Sequence, residues 1–196
     1  MDLLNRLYFL LKLNLLTLLF CLPVVTAGAS LAAMHTLLLA LSRNEESYVW
    51  GPFWEAFRKN FKQAAPVWLF FLVTGGIVGG GIYLAHSALT AFPFIFKAVQ
   101  YAAALLLLVM FLYAFPLVAR YTNTFGKTLT NSLVLAVGFF PRTLGMLFIT
   151  FGAALIMWLI PQGVPLYICF CLTGPGYLHA KLYGPIFEKL EGKKDE

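Results

Sequence analysis

Long apolar runs, separated by short polar or charged breaks, extend from one end of the chain to the other. A membrane-spanning helix needs about 20 mostly apolar residues. Six segments meet this requirement: 3–22, 24–42, 66–86, 98–119, 143–161 and 164–184. The period-2 alternation of a strand is absent, and only helices or closed barrels cross lipid. The pattern therefore predicts an all-α polytopic membrane protein, a single domain over 1–196 with about six transmembrane helices.

The uncharged stretch CLPVVTAGAS, residues 21–30, separates the first two apolar runs. Pro23, Thr26, Gly28 and Ser30 are residues that favour a tight reversal, and the hydroxyls can cap freed backbone groups. The stretch is predicted to be the turn of an N-terminal helical hairpin over 1–42. A kink in one continuous helix and a binding site are the alternatives.

Composition and charge extend this picture. The chain is 61% hydrophobic and 11% charged, against about a quarter charged in soluble domains. If the N-terminus is cytoplasmic and six crossings follow, thirteen of the 14 Lys and Arg residues fall on the cytoplasmic side, and only Lys97 falls outside. Basic residues on short loops set orientation, so both termini are predicted to be inside. That arrangement favours the turn at 21–30 over the kink.

The cytoplasmic segment FWEAFRKNFKQAA, residues 53–65, has the pattern of a basic amphipathic helix. One side of this helix carries the aromatic residues Phe53, Phe57 and Phe61. The other side carries Glu55 and the basic residues Arg58, Lys59 and Lys62. We expect it to lie in the headgroup layer or to dock a partner. A weaker amphipathic helix is predicted in GKTLTNSLVLAVGFF.

A weak internal repeat is also predicted. Each amphipathic segment precedes a proline, Pro66 or Pro141, that would open a membrane hairpin. The repeated unit, one amphipathic helix plus two crossings, would cover 48–122 and 125–188, followed by a charged tail at 189–196.

Small and polar residues inside the apolar runs predict helix contacts. The glycines spaced four apart, which allow close backbone approach in lipid, are Gly75, Gly76, Gly79 and Gly80. They predict packing within the chain or between subunits. A polar contact between Asn14 and His35 is expected because buried polar groups need partners. The sequence around 174–176 predicts a break in the last helix.

The sequence contains few candidates for catalytic, metal-binding or phosphate-binding residues. The predicted crossings contain no carboxylate, and the chain has no catalytic triad order, metal-ligand cluster or phosphate loop. We therefore expect no enzymatic activity, no cofactor and no metal. The basic residues follow the membrane topology, so a nucleic-acid partner is not expected.

Three separated motifs give the chain a family resemblance. They are Leu-Pro-x-x-Thr-x-Gly at 22–28, Phe-Lys-Gln-Ala at 61–64 and Pro-Arg-Thr-Leu at 141–144. In these the chain resembles the YesL family of small bacterial membrane proteins. The resemblance implies a multi-pass protein of the bacterial cytoplasmic membrane, often encoded beside carbohydrate ABC importers.

Two functions follow as hypotheses. The first is a non-enzymatic accessory protein for carbohydrate uptake by an ABC-type importer, with the bilayer, importer membrane subunits or a second copy as partners. The alternative is an autonomous facilitator or channel for a neutral solute such as a sugar, favoured by the repeat, the broken last helix and an aromatic content of 16%.

Overall fold

A computed structural model describes residues 3–45, 48–87, 93–160 and 168–192, and no strand occurs among them. The helical elements are α1 (Leu3–Cys21), a 3-10 turn (Val24–Thr26), α2 (Ala27–Ser42), α3 (Trp50–His86), α4 (Phe94–Arg120), α5 (Phe125–Gly138), α6 (Phe140–Leu159) and α7 (Thr173–Gly192). Five stretches within the described residues are long and apolar enough to cross a membrane: Leu3–Cys21, Val24–Ser42, Trp50–His86, Phe94–Arg120 and Phe140–Leu159. The prediction of an all-α polytopic membrane protein is confirmed.

The sixth predicted crossing, 164–184, differs from its prediction. Residues 161–167 lie outside the described residues, and a turn at 171–172 precedes α7. The predicted break at 174–176 falls in the first turn of α7, where a helix tolerates Pro175 because its missing N–H has no partner there. α7 then continues past the predicted end, through charged residues, to Gly192.

α3 combines two predicted elements in one helix of 37 residues. At 1.5 Å per residue it is about 55 Å long, well beyond the roughly 30 Å of a bilayer core. Pro66 lies inside this helix and does not open a new one, so that part of the repeat prediction is wrong. Pro141 does lie at the start of α6, after a break at Phe139 with φ −118° and ψ 44°.

The centre of the protein is α2. It packs against α1, α3, α4 and α7, and twelve of its residues are buried. Small residues at Ala29, Ala32 and Ala33 let neighbouring helices approach, and Leu38 and Leu41 fill the space between them. By contrast, only 11% of the most apolar stretch of α3, and of α6, is buried inside the protein. Those apolar surfaces are the ones left for lipid.

Candidate functional site

The turn between α1 and α2 is held by side-chain hydroxyls. Thr26 Oγ1 donates to the carbonyls of Phe20 at 2.6 Å and Pro23 at 2.8 Å. Ser30 Oγ donates to the carbonyl of Thr17 at 2.9 Å, which joins the two helices. The predicted reversal is therefore present, and residues 5–42 do not form one continuous helix. Thr26 satisfies a carbonyl in the last turn of α1 as predicted, whereas Ser30 lies inside α2 and links the two helices instead of capping one.

Gly28 marks a close approach between α2 and α3. A Cβ atom added there would lie 2.5 Å from the Trp68 Cβ and 2.8 Å from the Ala64 carbonyl oxygen. Trp68 also donates from Nε1 to the carbonyl of Val24 at 2.7 Å. The glycine is required because α3 passes directly over the first turn of α2.

A buried asparagine joins α1 to the start of α7. Asn14 is fully buried. Its Oδ1 accepts from the backbone N–H groups of Leu172 at 3.1 Å and Thr173 at 3.2 Å. Its Nδ2 donates to the carbonyl of Ile168 at 2.8 Å. The side chain thus caps a helix that begins inside the protein, a role usually filled by a residue next to the helix in sequence.

Two histidines lie near this junction. His35 Nδ1 is 3.0 Å from the hydroxyl of Tyr183 on α7, so the predicted contact between Asn14 and His35 is wrong. Each residue reaches α7 instead. His179 Nε2 is 3.1 Å from the carbonyl of Met146 on α6, which leaves α7 linked to α1, α2 and α6 by polar contacts.

A cavity of about 200 Å³ lies among α2, α4, α6 and the first turns of α7. His35, His179, Thr150 and Cys171 contribute polar atoms to its lining, and the rest is mostly apolar. Such a cavity is large enough for a few waters or a small polyol. Among the described residues, no group of three or more His, Cys, Asp or Glu is arranged to hold a metal ion.

The amphipathic half of α3 has its apolar face inside the protein. Phe53 and Phe57 are buried, and the Phe20 ring of α1 lies 5.7 Å and 5.2 Å from their rings; Phe61 is half-buried and packs on Phe57. The expectation that these rings face lipid or a partner is wrong, because α1 and α2 already cover them. The opposite face remains exposed and carries Arg58, Lys59 and Lys62.

The four glycines of α3 that are spaced four apart have no close neighbour among the described residues. A Cβ added at Gly75, Gly76, Gly79 or Gly80 would meet nothing within 4 Å. The expected packing within the chain is therefore wrong, and the expectation of a subunit contact stays a prediction. Gly81, one residue further, does face α4, where Gln100 occupies the space.

A charged cluster joins the ends of α4 and α7. Arg120 donates from Nε and Nη2 to the two carboxylate oxygens of Glu191 at 2.8 Å and 2.6 Å, and the Tyr121 hydroxyl donates to the same carboxylate at 3.0 Å. These donors, Arg120 above all, lower the pKa of Glu191 to about 2. Burial, and then the bond to Glu191, raise the pKa of Tyr121 to about 12.

Three further contacts join basic residues of α1 and α2 to distant parts of the chain. Arg43 Nε, at the end of α2, is 3.2 Å from Glu188 Oε1. Arg6, near the start of α1, donates to the Asn44 side chain at 2.6 Å and to the Tyr177 hydroxyl at 3.1 Å. Sequence reasoning missed these contacts because each joins positions 38 to 171 residues apart.

These features define a helical multi-pass membrane protein with a buried polar junction, an internal cavity and an exposed basic helix face. Residues 7–82 match a family described as a protein of unknown function, DUF624. The match includes the hairpin turn, all of α2 and most of α3. No curated protein and no solved structure matches the chain.

Proposed function

We propose that this chain is a non-enzymatic accessory protein of the bacterial cytoplasmic membrane that docks on an ABC-type carbohydrate importer. The importer is suggested by the resemblance to the YesL family, a group within DUF624. The observation that carries the docking step is the exposed row of Arg58, Lys59 and Lys62 on α3.

The rigidity of the basic row on α3 supports this proposal, in addition to its charge. A flexible basic loop would lose conformational entropy when it ordered on a partner. The row on α3 is already fixed, because Phe53 and Phe57 anchor the opposite face in the core. A fixed row of three cations suits an acidic surface on the cytoplasmic side of a partner.

The experiment is site-specific photo-crosslinking in cells induced with a carbohydrate. A photoreactive residue at Lys59 should crosslink to a membrane or ATP-binding subunit of the importer. The same residue at Lys127, an exposed lysine of α5, serves as the matched control and should not. Crosslinks to lipid alone, together with unchanged sugar uptake after deletion of the gene, would contradict the proposal.

The cavity favours a second candidate, a facilitator for a small neutral solute. Ala153 lines the cavity, whereas its neighbour Ala154 is exposed. In liposomes, Ala153→Phe should abolish flux of glycerol or a monosaccharide, and Ala154→Phe should preserve it. Absence of flux in the unaltered protein would exclude this candidate.

A further inference from the structure

A large groove lies between α1 and the start of α3, apart from the cavity and the basic row. Its volume is about 1040 Å³. One wall is α1 from Asn5 to Leu19, and the other is formed by residues 48–52. This volume is at the upper end for small-molecule sites and suits a long, flexible molecule.

The groove has a cationic part and an apolar part. Lys12 Nζ lies 4.2 Å from the centroid of the Tyr8 ring, so the ammonium group points toward the beginning of α1. Leu15, Leu16 and Leu19 follow on the same wall. A charge at one end and a wall of leucines at the other match the two parts of an amphiphile.

Lys12 needs an anionic partner or access to the headgroups if α1 crosses the membrane. A cation within a spanning helix is costly unless it is paired or reaches the headgroups. The ion pairs found among the described residues are those of Arg43 with Glu188 and of Arg120 with Glu191. The Tyr8 ring attracts the ammonium group but does not neutralise its charge.

The facing wall favours a lipid headgroup. Tyr48 is 78% exposed and Trp50 is 65% exposed, and both line the groove. Tyr and Trp concentrate at the level of the headgroups in membranes. We infer that the groove binds an anionic phospholipid, with its phosphate at Lys12 and an acyl chain along Leu15, Leu16 and Leu19.

A helix from a partner protein is the competing occupant. It would cover the leucines equally well, but it would need a carboxylate opposite Lys12. An anionic lipid carries its negative charge already, and the anionic lipids of the cytoplasmic leaflet attract basic residues that lie next to the membrane. Charge complementarity therefore favours the lipid.

The test is thermal stabilisation of the delipidated full chain in mild detergent. The probes are phosphatidylglycerol, phosphatidylcholine and glycerol 3-phosphate, the last being a headgroup without acyl chains. Phosphatidylglycerol should stabilise most and glycerol 3-phosphate not at all. Since one lysine near an anionic surface contributes enough for about a fivefold change in affinity, Lys12→Gln should weaken apparent phosphatidylglycerol binding by about that factor.

The chain provides a matched control. Lys181 lies 4.8 Å from the Tyr177 ring with the same four-residue spacing, but outside the groove. Lys181→Gln should keep the preference of the unaltered protein. A second variant, Gly51→Phe, fills the groove from a position where an added Cβ meets nothing within 4 Å, and it should abolish lipid stabilisation without unfolding the protein.

Three outcomes would overturn the inference. One is an unchanged preference for phosphatidylglycerol in Lys12→Gln. Another is stabilisation by glycerol 3-phosphate equal to that by the lipid, which would indicate a free phosphate site. The third is a photo-crosslink from position 15 to a protein rather than to a lipid, which would indicate a partner helix.

Discussion

Replacement of Asn14 by leucine tests whether a residue of α1 fixes the beginning of α7. Leucine has nearly the same shape but neither donates nor accepts a hydrogen bond. The N–H groups of Leu172 and Thr173 and the carbonyl of Ile168 lose their Asn14 partner. The Thr173 hydroxyl also loses a weak contact at 3.5 Å but keeps its bond to the carbonyl of Leu10 at 3.1 Å.

The expected cost can be bounded from these contacts. Four hydrogen bonds at the membrane-protein average of about 0.6 kcal/mol give a lower figure of about 2 kcal/mol. Two buried N–H groups left unsatisfied, at about 2 kcal/mol each, give an upper figure of about 4 kcal/mol. We therefore expect Asn14→Leu to lower the free energy of unfolding by about 2–4 kcal/mol.

The assay is equilibrium unfolding in mixed micelles of mild detergent and dodecyl sulfate, followed by circular dichroism. Thr17→Val is the matched control, because Thr17 is equally buried on the same helix. In the part of the chain that the structure describes, its hydroxyl donates only to the carbonyl of Leu13 within α1, so its loss should cost less than about 1 kcal/mol. Thiol labelling of Cys171, 4.0 Å from Asn14 Oδ1, should accelerate in Asn14→Leu.

Equal stabilities for Asn14→Leu and Thr17→Val would refute the reasoning. The start of α7 would then be fixed by apolar packing alone. Faster labelling of Cys171 without a loss of global stability would also contradict the stated magnitude, since it would restrict the effect to local fraying.

Two further predictions concern the charged cluster and the glycines. The pKa of Glu191 is lowered to about 2 in the folded protein. Its contribution to stability is therefore full above its ordinary pKa and is lost as pH falls from about 5 to about 2. Glu191→Gln should flatten that part of a stability–pH profile, and parallel profiles would argue against the pair with Arg120. Gly28→Ala forces a Cβ against Trp68 and should destabilise the protein by about 1–3 kcal/mol. Gly79→Ala, with open space around it, should be neutral or stabilising by up to about 1 kcal/mol. Thermal unfolding in detergent measures both variants, and a loss of stability in Gly79→Ala would instead indicate a subunit contact.

The sequence by itself determined the class of protein and most helix positions. Runs of about 20 apolar residues are a local property, and so is the chemistry of a turn. Residues 24–42 and 98–119 could therefore be assigned to helices, and Pro23 and Thr26 to a reversal between two of them, without knowledge of any neighbour. The orientation with both termini inside also rests only on loop lengths and charges, and it stays a prediction.

The tertiary structure decided what covers each face and which polar groups meet. The pattern at 53–65 shows that one face of the helix is apolar. Such a face can be buried in lipid or against protein, and the sequence pattern is the same in both cases. Only the packing of α1 and α2 places Phe53 and Phe57 in the protein core. Asn14 contacts the start of α7 and not His35. This contact could not be predicted because the partners of Asn14 lie more than 150 residues away in the sequence. Such pairs depend on which helices pack against each other in the folded protein, and the spacing of residues within one segment does not determine this packing.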